Sequence, residues 1–480
     1  MPDSSTEGWR YTWETQSLSP NLKLFLFDFR TSPSLTCRNL SAHLSVSNSY
    51  LLVTWNHPQD KVAFETLKVP LPNVLIDPDA SVHSRALDDH IEVKLLLLIP
   101  VDHPLLNPDS KVHSRLLDES PFAKSISGLN SSLSRNERVN FNCRNCSSSL
   151  TRFSIRKFVE LPSANWQELA DNWFGSCCCS YGGASEKLVK KFVNAYSCVK
   201  GVCYVSLAAV TLSTSDIIGF DCSDDDEETP IPVQKQMQQL NLENHTNTTN
   251  DEKPLCETHC DYHSNHIPSN NEANQTPDKK SFRNGFLGDG YISNSYNLSA
   301  EIEWKQFTCP KCSSFLGLYP CRDNGAVVDN GVRLYKCRIS TSGSDGDLFR
   351  DFCLEKMVSD QLVEKERDEL SFRSVVRDLN TRSSVVRLVL VNSSSWSCTG
   401  PCVEPTDGEK PNLNPVVKVL FSANSLEREM EEWEEKHRPD EFYMAKPLTN
   451  ELSKCLKSAR DLLPPSCTSF QGFSLSSLKR

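Results

Sequence analysis

Two cysteine pairs offer the most specific chemistry in this 480-residue chain. Cys143-Arg-Asn-Cys146 and Cys309-Pro-Lys-Cys312 each place two thiols on one tight turn. That spacing lets two thiolates reach a single tetrahedral Zn²⁺ at ~2.3 Å, and four thiolates close a structural site. One shared zinc, tying an N-terminal section to a C-terminal one, is the expectation. Two other arrangements stay open: a separate zinc for each pair completed by other Cys or His, or turns without a ligand. Cys321 and Cys337 are the nearest substitutes for the second pair. A thioredoxin-like redox role fits poorly, because neither pair opens a helix after a buried parallel strand.

Other groups are less specific. Cys177-Cys178-Cys179 lies between Gly175 and Gly182-Gly183. Three adjacent side chains cannot all enter one core, so in a loop at least one thiol meets solvent. Such a thiol can act as a nucleophile or as a ligand offered to a partner's metal. Cys256-Glu-Thr-His259-Cys260, with His263 and His266, has ligand-like spacing but polar surroundings and no core. Cys398-Thr-Gly-Pro-Cys402 reads as a loop. His83 and His113 recur within a short repeat, 78–88 and 108–118, without a cysteine or acidic partner at useful spacing; a local duplication in loops explains them best.

Composition bounds what these groups can serve. Lys plus Arg is 51 and Asp plus Glu is 62, giving a net charge of −11. Broad nucleic-acid binding needs a basic face, so no direct nucleic-acid partner is expected. The N-terminus has neither a basic start nor an apolar core of a secretory signal. The longest apolar run, residues 93–100, is interrupted by Lys94 and falls far short of the ~20 residues of a membrane helix. A cytoplasmic or nuclear setting without a membrane partner follows, in which the 20 cysteines stay reduced. The fold is 38% hydrophobic and 24% charged by residue, enough for a core, yet mean hydropathy is −0.43, so part of the chain stays solvated.

The elements that must position the thiols are mostly strands. Residues 22–30, 50–55, 62–69 and 91–99 alternate with aromatic and β-branched enrichment, with Pro, Asn and Asp between them. They predict a β-rich N-terminal domain over residues 1–160 that carries the first cysteine pair. Residues 161–221 form a second section. There Ser163 caps a helix with Trp166, Leu169, Ala170 and Trp173 on one face, and a strand covers residues 202–212. Residues 222–298 open with Asp224-Asp-Asp-Glu-Glu228 and then run to Asn, Gln, Thr and Ser, which reads as a disordered acidic-polar insert.

Residues 299–480 form a mixed α/β C-terminal domain with the second pair. Strands are expected at 332–336, 385–391 and 416–421. Helices are marked by Phe349, Phe352, Cys353 and Met357; by Leu426, Met430 and Trp433, with Asn424 and Glu427 as a capping pair; and by Leu452 through Leu463, ending at Pro464-Pro465. The fold class is thus α+β and β-rich: an N-terminal β domain packed on a mixed α/β domain, stabilised by zinc.

Three stretches together resemble the HECT-like ubiquitin-conjugating-enzyme-binding family of ubiquitin ligases. They are Leu161-Pro-Ser-Ala-Asn-Trp166 through Trp173 to the tandem cysteines, Trp304-Lys-Gln-Phe-Thr-Cys-Pro-Lys-Cys312, and Leu463-Pro-Pro-Ser466 with Phe470-Gln-Gly-Phe473-Ser-Leu475. The resemblance implies a ligase that binds a charged ubiquitin-conjugating enzyme and promotes transfer of ubiquitin to lysines of a protein substrate, marking it for degradation. True HECT ligases take ubiquitin on a cysteine in a Thr-Cys-Phe triplet near the C-terminus. Here the order is Ser466-Cys467-Thr-Ser-Phe470, so Cys467 is one candidate nucleophile and Cys178 of the tandem cluster another. A RING-type mechanism needs eight ligands in a dense cross-brace, which two isolated pairs do not supply.

The same resemblance implies an alternative of another class. In the family, the Trp-to-cysteine segment is similar to one that plugs the active site of a zinc-dependent RNA endonuclease of the metallo-β-lactamase type. Trp166, Trp173, Cys177, Cys178 and Cys179 would then be partner-binding residues, with a thiolate displacing the nuclease's catalytic water.

Overall fold

The computed structural model describes residues 8–105, 133, 138–160, 198–220 and 302–480, less 47, 58–59, 104, 207, 323–324, 326, 344–345, 403–409 and 424–426. Among these residues strands dominate and three helices exceed two turns.

The alternation in the first section builds real strands. Asn21–Phe27 buries Leu22, Leu24 and Leu26 on one face while Asn21 and Lys23 face water, the period of two that pleating imposes. It lies in a ten-stranded sheet that mixes both ends of the chain. The spine of that sheet is Ser384–Pro401, an 18-residue strand. Its first half pairs with Arg373–Asp378 and its second half with Arg10–Gln16, Trp13 opposite Cys398. Asn414–Ala423 runs antiparallel along its other edge. Strands from 1–160 and from 299–480 therefore share one hydrogen-bonded ladder.

Two apolar clusters cover this sheet. Near the N-terminus a three-stranded sheet, Arg38–Ser45, Tyr50–His57 and Asp60–Pro70, packs Leu51, Val53, Trp55 and Leu67 against Trp13, Leu24 and Val93. Trp13 is fully buried, and its indole N–H donates to the Pro70 carbonyl at 3.0 Å. Toward the C-terminus, helices Leu354–Glu369 and Lys446–Arg460 press Met357, Leu362, Leu448, Leu452 and Leu456 onto Val386, Leu388, Val417 and Leu478. No helix among the described residues is long and apolar enough to cross a membrane.

Three local expectations change. Residues 202–212 are a hairpin rather than one strand: Val202–Val205 and Ala209–Ser213 pair antiparallel, and Ser206 closes the turn by hydrogen bonds with Ala209. The helix expected from Phe349 begins only at Leu354, because Cys353 has extended backbone; Phe349 and Phe352 belong to preceding turns. Cys398 lies inside the spine strand rather than in a loop, and both it and Cys402 are buried. The described part of the repeat includes His83, whose Nε2 lies 3.0 Å from the Ser81 hydroxyl; 108–118 is outside the described residues.

Candidate metal centre

The two cysteine pairs sit on hairpins of different sheets. Asn140–Cys143 pairs with Ile339–Ser342. Glu303–Thr308 is an edge strand and Phe315–Cys321 the strand beside it in a six-stranded sheet that continues through Gly331–Tyr335 and Ala209–Ser213. That sheet closes tightly: a β-carbon on Gly317 would come within 1.8 Å of the Arg333 carbonyl oxygen, so only glycine permits the approach.

The turns themselves are near copies. In one, Cys143 N–H donates to Ser148 O at 2.9 Å and Ser147 N–H to Cys143 O at 2.8 Å. In the other, Cys309 N–H donates to Ser314 O at 2.8 Å and Ser313 N–H to Cys309 O at 2.8 Å. The fifth residue of each turn is left-handed, Ser147 at φ 57° and Ser313 at φ 58°. A side chain bears a cost there, which surroundings that need the loop to curl back must outweigh.

Tertiary folding brings the turns face to face. Cys143 Sγ lies 3.7 Å from Cys312 Sγ, and Cys146 Sγ lies 3.7 Å from Cys309 Sγ. All four sulfurs fall within 4.8 Å of one another. A tetrahedron with ~2.3 Å metal–sulfur bonds has edges of about 3.8 Å, so the residues present fit one ion held by four thiolates. All four are free cysteines, Cys143 and Cys309 buried and their partners half-buried.

Neighbouring groups orient the sulfurs. Ser148 Oγ is 2.9 Å from Cys146 Sγ and 3.5 Å from Cys309 Sγ. Ser314 Oγ is 3.3 Å from Cys312 Sγ. Asn145 Nδ2 spans the two turns, donating to Ser314 Oγ at 2.9 Å and toward Cys312 Sγ at 3.6 Å. Hydrogen bonds donated to sulfur favour thiolate. Hydrogen bonds from Ser314 and Asn145 hold Cys312 down at about 5. Burial pushes Cys309 up, yet the Ser148 hydroxyl and the N–H groups of Cys312 and Lys311 outweigh it and lower the thiol. Burial dominates at Cys143, pushed up to about 12; a bound cation would reverse that preference.

The first turn is also fastened from behind. The Arg144 guanidinium donates to the carbonyls of Ile339, Phe352 and Phe349 at 3.2, 3.2 and 2.5 Å. Phe141 stacks on Phe349 with ring centroids 6.1 Å apart. The serines, Asn145 and Arg144 are roles that spacing rules on cysteine overlook, although a Ser-Ser pair after each Cys-x-x-Cys was visible in the sequence.

Cys321 and Cys337 are not in the cluster. Cys467 is elsewhere, in the short turn Pro465–Cys467. There Ser466 N–H and Oγ donate to the Asp89 carboxylate at 2.6 and 2.8 Å, and His90 Nδ1 lies 2.8 Å from the same group. Burial raises the Cys467 thiol; the Ser466 hydrogen bond opposes this, while the negative charges of Asp89, Glu14 and Glu92 add to it. Trp166, Trp173, Cys177, Cys178, Cys179 and the 256–266 group lie outside the described residues.

The fold and centre thus define a β-rich chain in which two cysteine turns meet and strands from both ends share one sheet. A family model described as HECT-like ubiquitin-conjugating enzyme (E2)-binding matches residues 41–475, nearly the whole chain, and the chain belongs to that family. No curated protein and no solved structure matches it significantly.

Proposed function

We propose that this chain is a ubiquitin-protein ligase: it binds a charged ubiquitin-conjugating enzyme and promotes transfer of ubiquitin to a substrate lysine. The observation that carries the reading is membership, over residues 41–475, of a family defined by binding that enzyme. The four-cysteine centre is structural in this reading and holds Zn²⁺. A closed set of four thiolates leaves no position for substrate or water, so the ion's contribution is to fix two distant turns in one place.

In this reading transfer runs directly from the conjugating enzyme. The substrate amine attacks the thioester carbonyl, an isopeptide bond forms, and the enzyme's thiolate leaves. The surroundings of Cys467 favour its neutral thiol, which disfavours a covalent relay through that sulfur.

The test is discharge of a ubiquitin-loaded conjugating enzyme, followed on non-reducing gels. The full chain should accelerate discharge onto lysine severalfold, with no thioester on the chain itself. A thioester lost in Cys467→Ser or Cys178→Ser would replace direct transfer by a relay. No acceleration with any conjugating enzyme would overturn the ligase reading.

A further inference from the structure

Beside the four cysteines the chain exposes apolar side chains drawn from three stretches. Phe153 is 58% exposed, Val199 40% and Ile218 36%. Backbone hydrogen bonds make them neighbours. Ile218 N–H donates to the Leu150 carbonyl at 2.9 Å, and Arg152 N–H donates to the Asp216 carbonyl at 2.8 Å. Gly201 N–H donates to the Asp216 carboxylate at 2.7 Å. The Lys200 ammonium lies 5.5 Å from the centre of the Phe153 ring.

This surface is continuous with the metal centre on both sides. The segment reaching Phe153 leaves the first turn through Ser148, which touches Cys146 and Cys309. Gly219, next to Ile218, backs onto the tip of the second turn. A β-carbon there would lie 2.4 Å from Pro310 Cγ, and its φ is +81°. Exposed apolar side chains gathered in one place are unfavourable in water and favourable once covered.

The charge around it is distinctive. The chain as a whole carries −11, yet the exposed charged groups here are Arg152, Lys200 and Lys311. The adjacent carboxylate, Asp216, is buried and engaged by Gly201. The patch therefore suits a partner face of apolar residues bordered by carboxylates.

We propose that Phe153, Val199, Lys200, Ile218 and the Pro310-Lys311 tip form the docking surface for the ubiquitin-conjugating enzyme. This rests on the enzyme-binding function proposed above and gives it a location. The four cysteines would act at one remove, since an ion held by them would fix the Phe153 segment and the Pro310 tip in one place.

The experiment titrates a panel of purified ubiquitin-conjugating enzymes into the full chain by calorimetry, at two salt concentrations. Phe153→Ser and Ile218→Ser should each raise Kd at least about 10-fold, as loss of a central apolar anchor does. Lys200→Glu should weaken binding and blunt its salt dependence. Phe64→Ser, an exposed aromatic on the three-stranded sheet, should change Kd less than about 2-fold. Thermal melts of each variant report folding. If wild type binds and the three patch variants bind as tightly, the surface is wrong while the function stands. The surface also falls if Phe64→Ser weakens binding equally. If wild type binds no enzyme in the panel, function and surface fall together.

Discussion

The cysteines at 309 and 312 and the cysteine at 467 are chemically the same side chain in opposite surroundings. The first two receive hydrogen bonds from Ser148, Ser314, Asn145 and backbone N–H groups, which stabilise sulfur as an anion. Burial raises the Cys467 thiol, and the negative charges of Asp89, Glu14 and Glu92 add to that preference for the neutral form. The difference separates sulfur built to hold a cation from sulfur that is not poised to attack. Sequence position alone points the other way, because Cys467 lies where the resemblance sets a nucleophile.

The strongest way to break this contrast is to remove a thiolate. Cys143→Ser and Cys309→Ser should each lower bound zinc from about one ion per chain toward none, with a large fall in melting temperature, since metal binding is folding free energy. Elemental analysis and calorimetry measure both. A normal zinc content in either variant would refute a shared centre.

A milder change tests the donors. Ser148→Ala removes the hydroxyl that contacts two sulfurs and should weaken zinc affinity about 10- to 100-fold, read by chelator competition. An unchanged affinity would mean that backbone N–H groups alone suffice.

Asp89 sharpens the other side. Burial raises its carboxyl, but hydrogen bonds from Ser466 N–H, His90 and Ser466 Oγ outweigh this and hold it below its ordinary value. A carboxyl with a lowered folded pKa contributes stability that is complete above its unfolded value near ~4 and is lost as pH falls through the folded one. Asp89→Asn should therefore cost about 1–2 kcal/mol near pH 7. The gap from wild type should close in denaturant titrations below about pH 4. A gap that persists there would show that the hydrogen bonds, and not the charge, matter.

The smallest effect is expected at Cys467 itself. Its alkylation near neutral pH should be slower than that of free cysteine and should rise steeply with pH, and Cys467→Ser should shift stability by less than about 1 kcal/mol. Fast alkylation near neutral pH would dissolve the contrast.

Much of the local structure was legible. The alternation over 22–30 and the apolar spacing from Leu452 to Leu463 predict a strand and a helix, found at Asn21–Phe27 and Lys446–Arg460, because each pattern buries one face of one element. The hairpin within 202–212 was not, because its turn is marked by Ser206 alone, without the Gly, Pro, Asn or Asp that usually signals one. Nor was the environment of Cys467, where burial and the Asp89 carboxylate, bonded to neighbouring Ser466 across 377 residues of sequence, act together.

By itself the sequence determined that two Cys-x-x-Cys turns exist and that each can supply half of a tetrahedral site, since those are properties of a few consecutive residues. Only the tertiary structure decided that the halves meet, 3.7 Å apart across sulfur pairs, and that strands from both ends of the chain share one ladder. Pairing between distant segments is fixed by burial and register summed over the whole fold, which no local spacing encodes.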